Sequence, residues 1–269
     1  MDVLLPGANR RLLVQCRGAD RCDCVRCIWM DVPAEKRRLL EQVQARADPA
    51  YAQAVGRAVS SPLKVHGLRV WEIREIVKGW RADHKAISLE DLLPLVETLW
   101  AGRSREERLM ALELPMHYSH LLPALSWDWF QAKRQDLNDW ELTDVLGVGV
   151  LGPWVAHDPE RRARRLHRLV LDHDVWSRRL GLVATVGLHR TRKEAHTLSL
   201  ALSLIDQVKQ EQHPTITKAI SWVLRVLSKD YPEQVASYLE RNVDSFPRHV
   251  IREVRNKLET GRKNGKRIR

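Results

Sequence analysis

The chain has 269 residues, 44% of them hydrophobic, with only 13 Gly and 12 Pro. That is enough to bury a substantial core in one large domain or two small ones, and it excludes a disordered chain. Lys and Arg outnumber Asp and Glu by 45 to 34. No run of about 18 apolar residues occurs, so a membrane span is not expected and the natural partner is a polyanion.

At the start, MDVLLPGANRRLLVQC places its basic residues after a short apolar run, the reverse of a secretory signal, and a cytoplasmic protein is expected. All four cysteines follow in CRGADRCDCVRC, as Cys16, Cys22, Cys24 and Cys27. The spacing C-x5-C-x-C-x2-C matches no standard zinc or iron–sulfur pattern. Two readings stay open, a small metal knuckle and a set of reduced thiols in a loose arm. Residues 1–33 are assigned to this arm, 34–261 to a helical domain and 262–269 to a basic tail.

From about residue 34 onward helix signals dominate. Ser104-x-x-Glu107 and Thr191-x-x-Glu194 read as capping boxes, with Asn138-x-x-Glu141 a looser version. Asp158-Pro159, His213-Pro214, Tyr231-Pro232 and Phe246-Pro247 place Pro at expected first helical positions. Apolar patterns of period 3.6 lie between these signals and predict about twelve short helices in antiparallel pairs. Short turns and similar helix lengths predict an all-α, curved solenoid of stacked pairs with degenerate repeats.

The charge is uneven along the chain. Residues 161–193 hold ten basic and two acidic residues, and 241–269 hold ten and three, leaving the remainder net acidic. Such localisation favours a basic face, expected on the concave side of the stack. Nucleic acid fits better than membrane, because the arginines do not flank a lipid-inserting apolar face.

Three helices carry unusual residues. In NDWELTDVLG, read as a helix from Asn138 to about Ala156, Leu142, Val145, Leu146 and Val150 form an apolar stripe. Trp140 and Asp144 lie one turn apart on roughly the opposite side; inter-helix packing and a functional face both remain open for them. In DHDVWSRRLGLVATVGL, Arg179 falls in an apolar row with Val175, Leu182, Val183 and Val186. A guanidinium there needs a partner, either a carboxylate in a structural ion pair or a phosphate. Its neighbour Arg178 points elsewhere. In HPTITKAISWVLRVL, the stripe is Ile216, Ile220, Val223 and Leu227, with Trp222 off it and Lys218 and Arg225 opposite. An indole flanked by cations suits contact with nucleic acid, and packing under the next helix is the alternative.

Taken together, WELTD, WSRR and KAISWVLR, in that order, resemble the AlkD family of bacterial DNA alkylation-repair glycosylases, built from HEAT-like repeats. The resemblance runs from about residue 47 to 261. It implies a C-shaped stack that holds duplex DNA in its concave side and excises cationic N3- and N7-alkylated purines. It places Asp144 at the position of the catalytic aspartate, and Trp140 and Trp222 at those of two tryptophans against the deoxyribose. Arg179 takes the position of an arginine that engages the DNA backbone, and Lys218, Arg225 and Arg178 are the further DNA-binding candidates. The family often carries a second aromatic before the first tryptophan, where Asp139 stands here.

The implied enzyme is a monofunctional glycosylase acting without deep base flipping. It needs no cofactor and works as a monomer on duplex DNA containing alkylated purines, associated with the nucleoid through that DNA. The alternative is a non-catalytic HEAT-like binder of damaged or branched DNA. A generic interaction scaffold is the third reading.

Overall fold

The computed structural model describes residues 30–59 and 61–265. The four cysteines and the last four residues of the basic tail lie outside them, as does most of the expected N-terminal arm.

Among the described residues there are fourteen α-helices and no strand, only an isolated bridge between Lys64 and Ser104. The first half holds α1 (Val32–Ala45), α2 (Pro49–Val59), α3 (Val70–Asp83), α4 (Leu89–Trp100), α5 (Arg105–Met116) and α6 (Trp127–Arg134). The centre holds α7 (Trp140–Val145), a π-helical stretch Leu146–Leu151, α8 (Gly152–Ala156), α9 (Pro159–Val170) and α10 (Val175–Thr191). The end holds α11 (Ala195–Val208), α12 (Pro214–Leu227), α13 (Pro232–Arg241) and α14 (Arg248–Thr260). No helix among the described residues is long and apolar enough to cross a membrane.

Local signals explain most starts. Ser104 accepts from Glu107 N–H while Glu107 returns a bond to the Ser104 N–H, completing the expected capping box. Pro159, Pro214 and Pro232 open their helices as expected. Three expectations need correction. Thr191 ends α10 rather than capping the next helix, and its hydroxyl donates back to the Gly187 carbonyl. Asp139, not Asn138, caps α7. Pro247 stands just before α14, which opens at Arg248.

The helices pack as an all-α solenoid in two layers. One layer runs α3, α5, α7 with its π continuation, α10, α12 and α14, each against the next. The other pairs α1 with α4 and α9 with α11, and packs onto the first. Leu142, Leu146, Val150, Leu182, Val186, Ile220 and Val223 are buried between them. At about 25 cal/mol per Å2 of apolar surface, such burial is the main stabilising term. Helix α10 approaches the π stretch and α8 closely. A Cβ on Gly187 would overlap the Val148 carbonyl, and one on Gly152 would overlap that of Ala184. Glycine is what lets these two backbones touch.

Candidate active site

The site begins at the cap of α7. The Asp139 carboxylate accepts from Leu142 N–H at 2.9 Å, and Thr143 Oγ1 donates to the Asp139 carbonyl at 2.6 Å. This fixes Trp140 as the first helical residue and sets Asp144 one turn further on. Between them Glu141 faces α5, where Arg105 grips it through Nε at 2.5 Å and Nη2 at 2.7 Å. Arg105 Nη1 also donates to the Leu68 carbonyl at 2.9 Å. Glu106 in turn accepts from the N–H groups of His66, Gly67 and Leu68. One buried network therefore holds α7, α5 and the loop before α3.

Trp140 stays 42% exposed, and its indole Nε1–H donates to the Ala58 carbonyl of α2 at 3.2 Å. Asp144 faces α10. Arg179 forks onto it, Nε to Oδ1 and Nη2 to Oδ2, both at 2.8 Å, while Nη1 donates to the Thr215 carbonyl at 2.8 Å. The guanidinium thus ties α7, α10 and the first turn of α12. Burial pushes the Asp144 carboxyl above the usual carboxylate range, and the Arg179 fork pulls against that shift.

Around this pair lies a cleft of about 370 Å3. Trp140 and Asp144 come from α7, Trp176 and Arg179 from α10, and Lys218, Trp222 and Arg225 from α12. Glu253 of α14 and Lys263 line it as well. A larger cavity, about 690 Å3, shares Asp144 and Trp222 with the cleft. It is lined further on by Met116, Val148, His120 and Arg190. The π-helical turns after Asp144 are part of its wall; such turns concentrate at functional sites because they re-aim side chains.

Six of the seven expected site residues therefore meet: Asp144, Trp140, Trp222, Arg179, Lys218 and Arg225. Lys218 is exposed with no ion-pair partner among the described residues, whereas Arg225 Nε lies 3.7 Å from Glu253 and 3.3 Å from Ser221 Oγ. Burial lowers the pKa of Arg225, with Glu253 opposing. Arg178 is not brought to the cleft. It donates to the carbonyls of Asp172 and His173 and pairs with Glu211 at 3.0 Å, fastening the turn between α9 and α10.

Of the basic segment 161–193, the exposed Arg161, Arg164 and Arg168 sit on α9, which packs on α10 and α11 and contributes nothing to the cleft. The expectation that this charge lines the binding face is corrected to that extent. Sequence reasoning passed over Trp176, Glu253 and Lys263. Trp176 had a signal, three residues before Arg179 and so on the same helical face. Lys263 had only its place in the basic tail, and Glu253 had none.

A family model described as DNA alkylation repair enzyme matches residues 39–258. Among solved structures, one described as a predicted DNA alkylation repair enzyme from Enterococcus faecalis aligns with a TM-score of 0.64. It is 20% identical and covers 80% of this chain and 97% of its own, a likeness of fold. The alkylpurine DNA glycosylase AlkC of Pseudomonas fluorescens, bound to DNA containing an abasic site analog, aligns at 0.42. It is 15% identical and covers 83% of this chain and 63% of its own. No curated protein matches the sequence.

Proposed function

The chain belongs to the DNA alkylation repair enzyme family, and from that premise we propose that it is a monofunctional DNA glycosylase for cationic N3- and N7-alkylated purines in duplex DNA. The observation that carries the reading is Asp144, set in the wall of a cleft that also holds Trp140, Trp176 and Trp222.

Alkylation at N3 or N7 leaves the purine positively charged and already a good leaving group. As the bond from C1′ to the base nitrogen breaks, its electron pair goes to the base, which departs neutral, and positive charge builds on the sugar. A carboxylate facing that sugar stabilises the oxocarbenium-like transition state. Indole faces stabilise the same cation through their electron-rich rings. Water then adds to C1′ and gives up a proton, for which Asp144 is the acceptor at hand. No general acid is needed for a base that leaves as a cation's neutral product.

Arg179 takes part by holding Asp144. Each carboxylate oxygen has a second lone pair beyond the one engaged in the fork, so the group can face the sugar while it is held. Lys218, exposed and lining the cleft, is proposed to take a phosphate. The protein is proposed to act as a monomer on DNA gripped by its backbone, with the base not drawn into a deep pocket of the kind that base-flipping enzymes use.

A second reading, a non-catalytic binder of damaged or branched DNA, draws on the same fork, in which Arg179 engages both Asp144 oxygens. Mass spectrometry of bases released from methylated duplex DNA separates the two. The glycosylase releases 3-methyladenine or 7-methylguanine, and Asp144→Asn cuts release by at least about 100-fold while duplex binding persists. Unchanged release from Asp144→Asn would overturn the role given to Asp144.

A further inference from the structure

The cleft is lined in part by a residue beyond the matched family segment. That match stops at residue 258, whereas α14 runs to Thr260 and the chain then folds back. Gly261 makes the turn, with φ at +71°, in the left-handed region that glycine enters without strain, and its N–H donates to the Lys257 carbonyl at 3.0 Å. Asn256 Nδ2 donates to the Lys263 carbonyl at 3.1 Å, and Lys257 Nζ donates to the Gly261 carbonyl at 2.6 Å. These bonds return Lys263 toward the cleft that it lines together with Asp144 and Trp222.

There the Lys263 ammonium lies 3.2 Å from Glu253 Oε1. Glu253 is the second carboxylate of the cleft. It accepts from Ser221 Oγ at 2.6 Å, with Arg225 at 3.7 Å. Burial pushes its pKa up, but Ser221, Lys263 and Arg225 together hold it below the usual range, so it is ionised at neutral pH. An ionised carboxylate in a groove meant for a polyanion repels the ligand unless a cation offsets it. Lys263 is half exposed, and its ammonium has three donor hydrogens, only one of them needed for Glu253.

We propose that Lys263 is a DNA-binding residue of the cleft: it neutralises Glu253 and takes a backbone phosphate of the duplex at the α14 edge. The inference rests on the cleft receiving DNA, as proposed above. It assigns to the turn after α14 the completion of the binding surface. Each phosphate neutralised by a lysine releases counterion, so such a contact leaves a signature in the salt dependence that a surface ion pair does not.

The test measures binding of a short undamaged DNA duplex by fluorescence anisotropy across a salt series. Wild type, K263A, K263R and the double variant K263A with E253Q are compared. K263A is expected to weaken binding about fivefold and to reduce the slope of log K against log salt by about one. K263R restores both. Adding E253Q to K263A recovers affinity without restoring the slope, because it removes the uncompensated negative charge but does not replace the missing contact.

Wild-type affinity and slope in K263A would overturn the proposal. So would a loss of affinity at unchanged slope, which marks a purely structural role, or no recovery on adding E253Q. Base release by the wild type is scored separately, so absence of release with the expected slope change defeats the glycosylase reading and leaves this one standing.

Discussion

Helix α7 carries two arginine–carboxylate forks three residues apart, and they do different work. Glu141 meets Arg105 against α5; the two side chains are 9% and 2% exposed. Asp144 meets Arg179 beside the cleft; these are 15% and 8% exposed. The chemistry is the same, two parallel N–H donors on one carboxylate. The surroundings differ. Arg105 also serves Leu68 and Glu106, so its fork is one corner of a sealed network that fixes a helix. Arg179 spends its third nitrogen on Thr215, and the carboxylate it holds opens onto three indoles. The first fork sets where α7 lies, and the second sets which way the Asp144 carboxylate, proposed as the catalytic group, faces. An ion pair on a helix is therefore assigned a role only by what stands beyond it.

The comparison breaks most visibly at the sealed fork. Arg105→Met leaves Glu141 charged and unpaired under the loop before α3. It should cost about 3–5 kcal/mol of stability, seen as a lower midpoint in urea. Arg105→Met combined with Glu141→Leu should recover most of that, because an apolar pair of similar volume replaces the ions. Asp144→Asn should act on rate instead, lowering base release by about 100- to 1000-fold with thermal unfolding little changed. Equal losses of stability from the two sites would erase the distinction between them.

How far the sequence carried this picture depends on the kind of feature. Trp140 and Asp144 share a face because they are one helical turn apart, and that holds whatever packs around them. Capping at Ser104 and Asp158 is equally local. A constant 100° per residue does not hold along the helix after Asp144, because the π stretch from Leu146 changes the phase. Val145, placed in the apolar stripe, is only half buried and lines the larger cavity. The choice for Arg179 between a carboxylate and a phosphate could not be made from one helix. It depends on α10 packing against α7 and its continuation, where Gly187 lies on the Val148 carbonyl and Gly152 of α8 on that of Ala184, a contact between segments distant in the chain. Glu253 was invisible for the same reason, and Lys263 was legible only as part of the basic tail.

The finest separation between the forks lies in pH. Catalysis as proposed needs Asp144 ionised, and burial raises its pKa while Arg179 lowers it. Base release at saturating enzyme should therefore fall on the acid side, through an inflection above the ordinary carboxylate value. Arg179→Met removes the opposing pull, so the inflection should move to higher pH, with the rate on the plateau above it less affected. Linkage fixes the accompanying sign for stability. The native state binds this proton more tightly than the unfolded chain, so the Asp144 contribution is most favourable at low pH. It declines as pH rises from the unfolded value through the folded one. Asp144→Asn should flatten that part of the stability profile. Arg105→Met, acting at the sealed fork, should leave the acid limb of base release where it was. A shift of that limb by Arg105→Met, or none by Arg179→Met, would show that the two forks are not the separate devices their surroundings indicate.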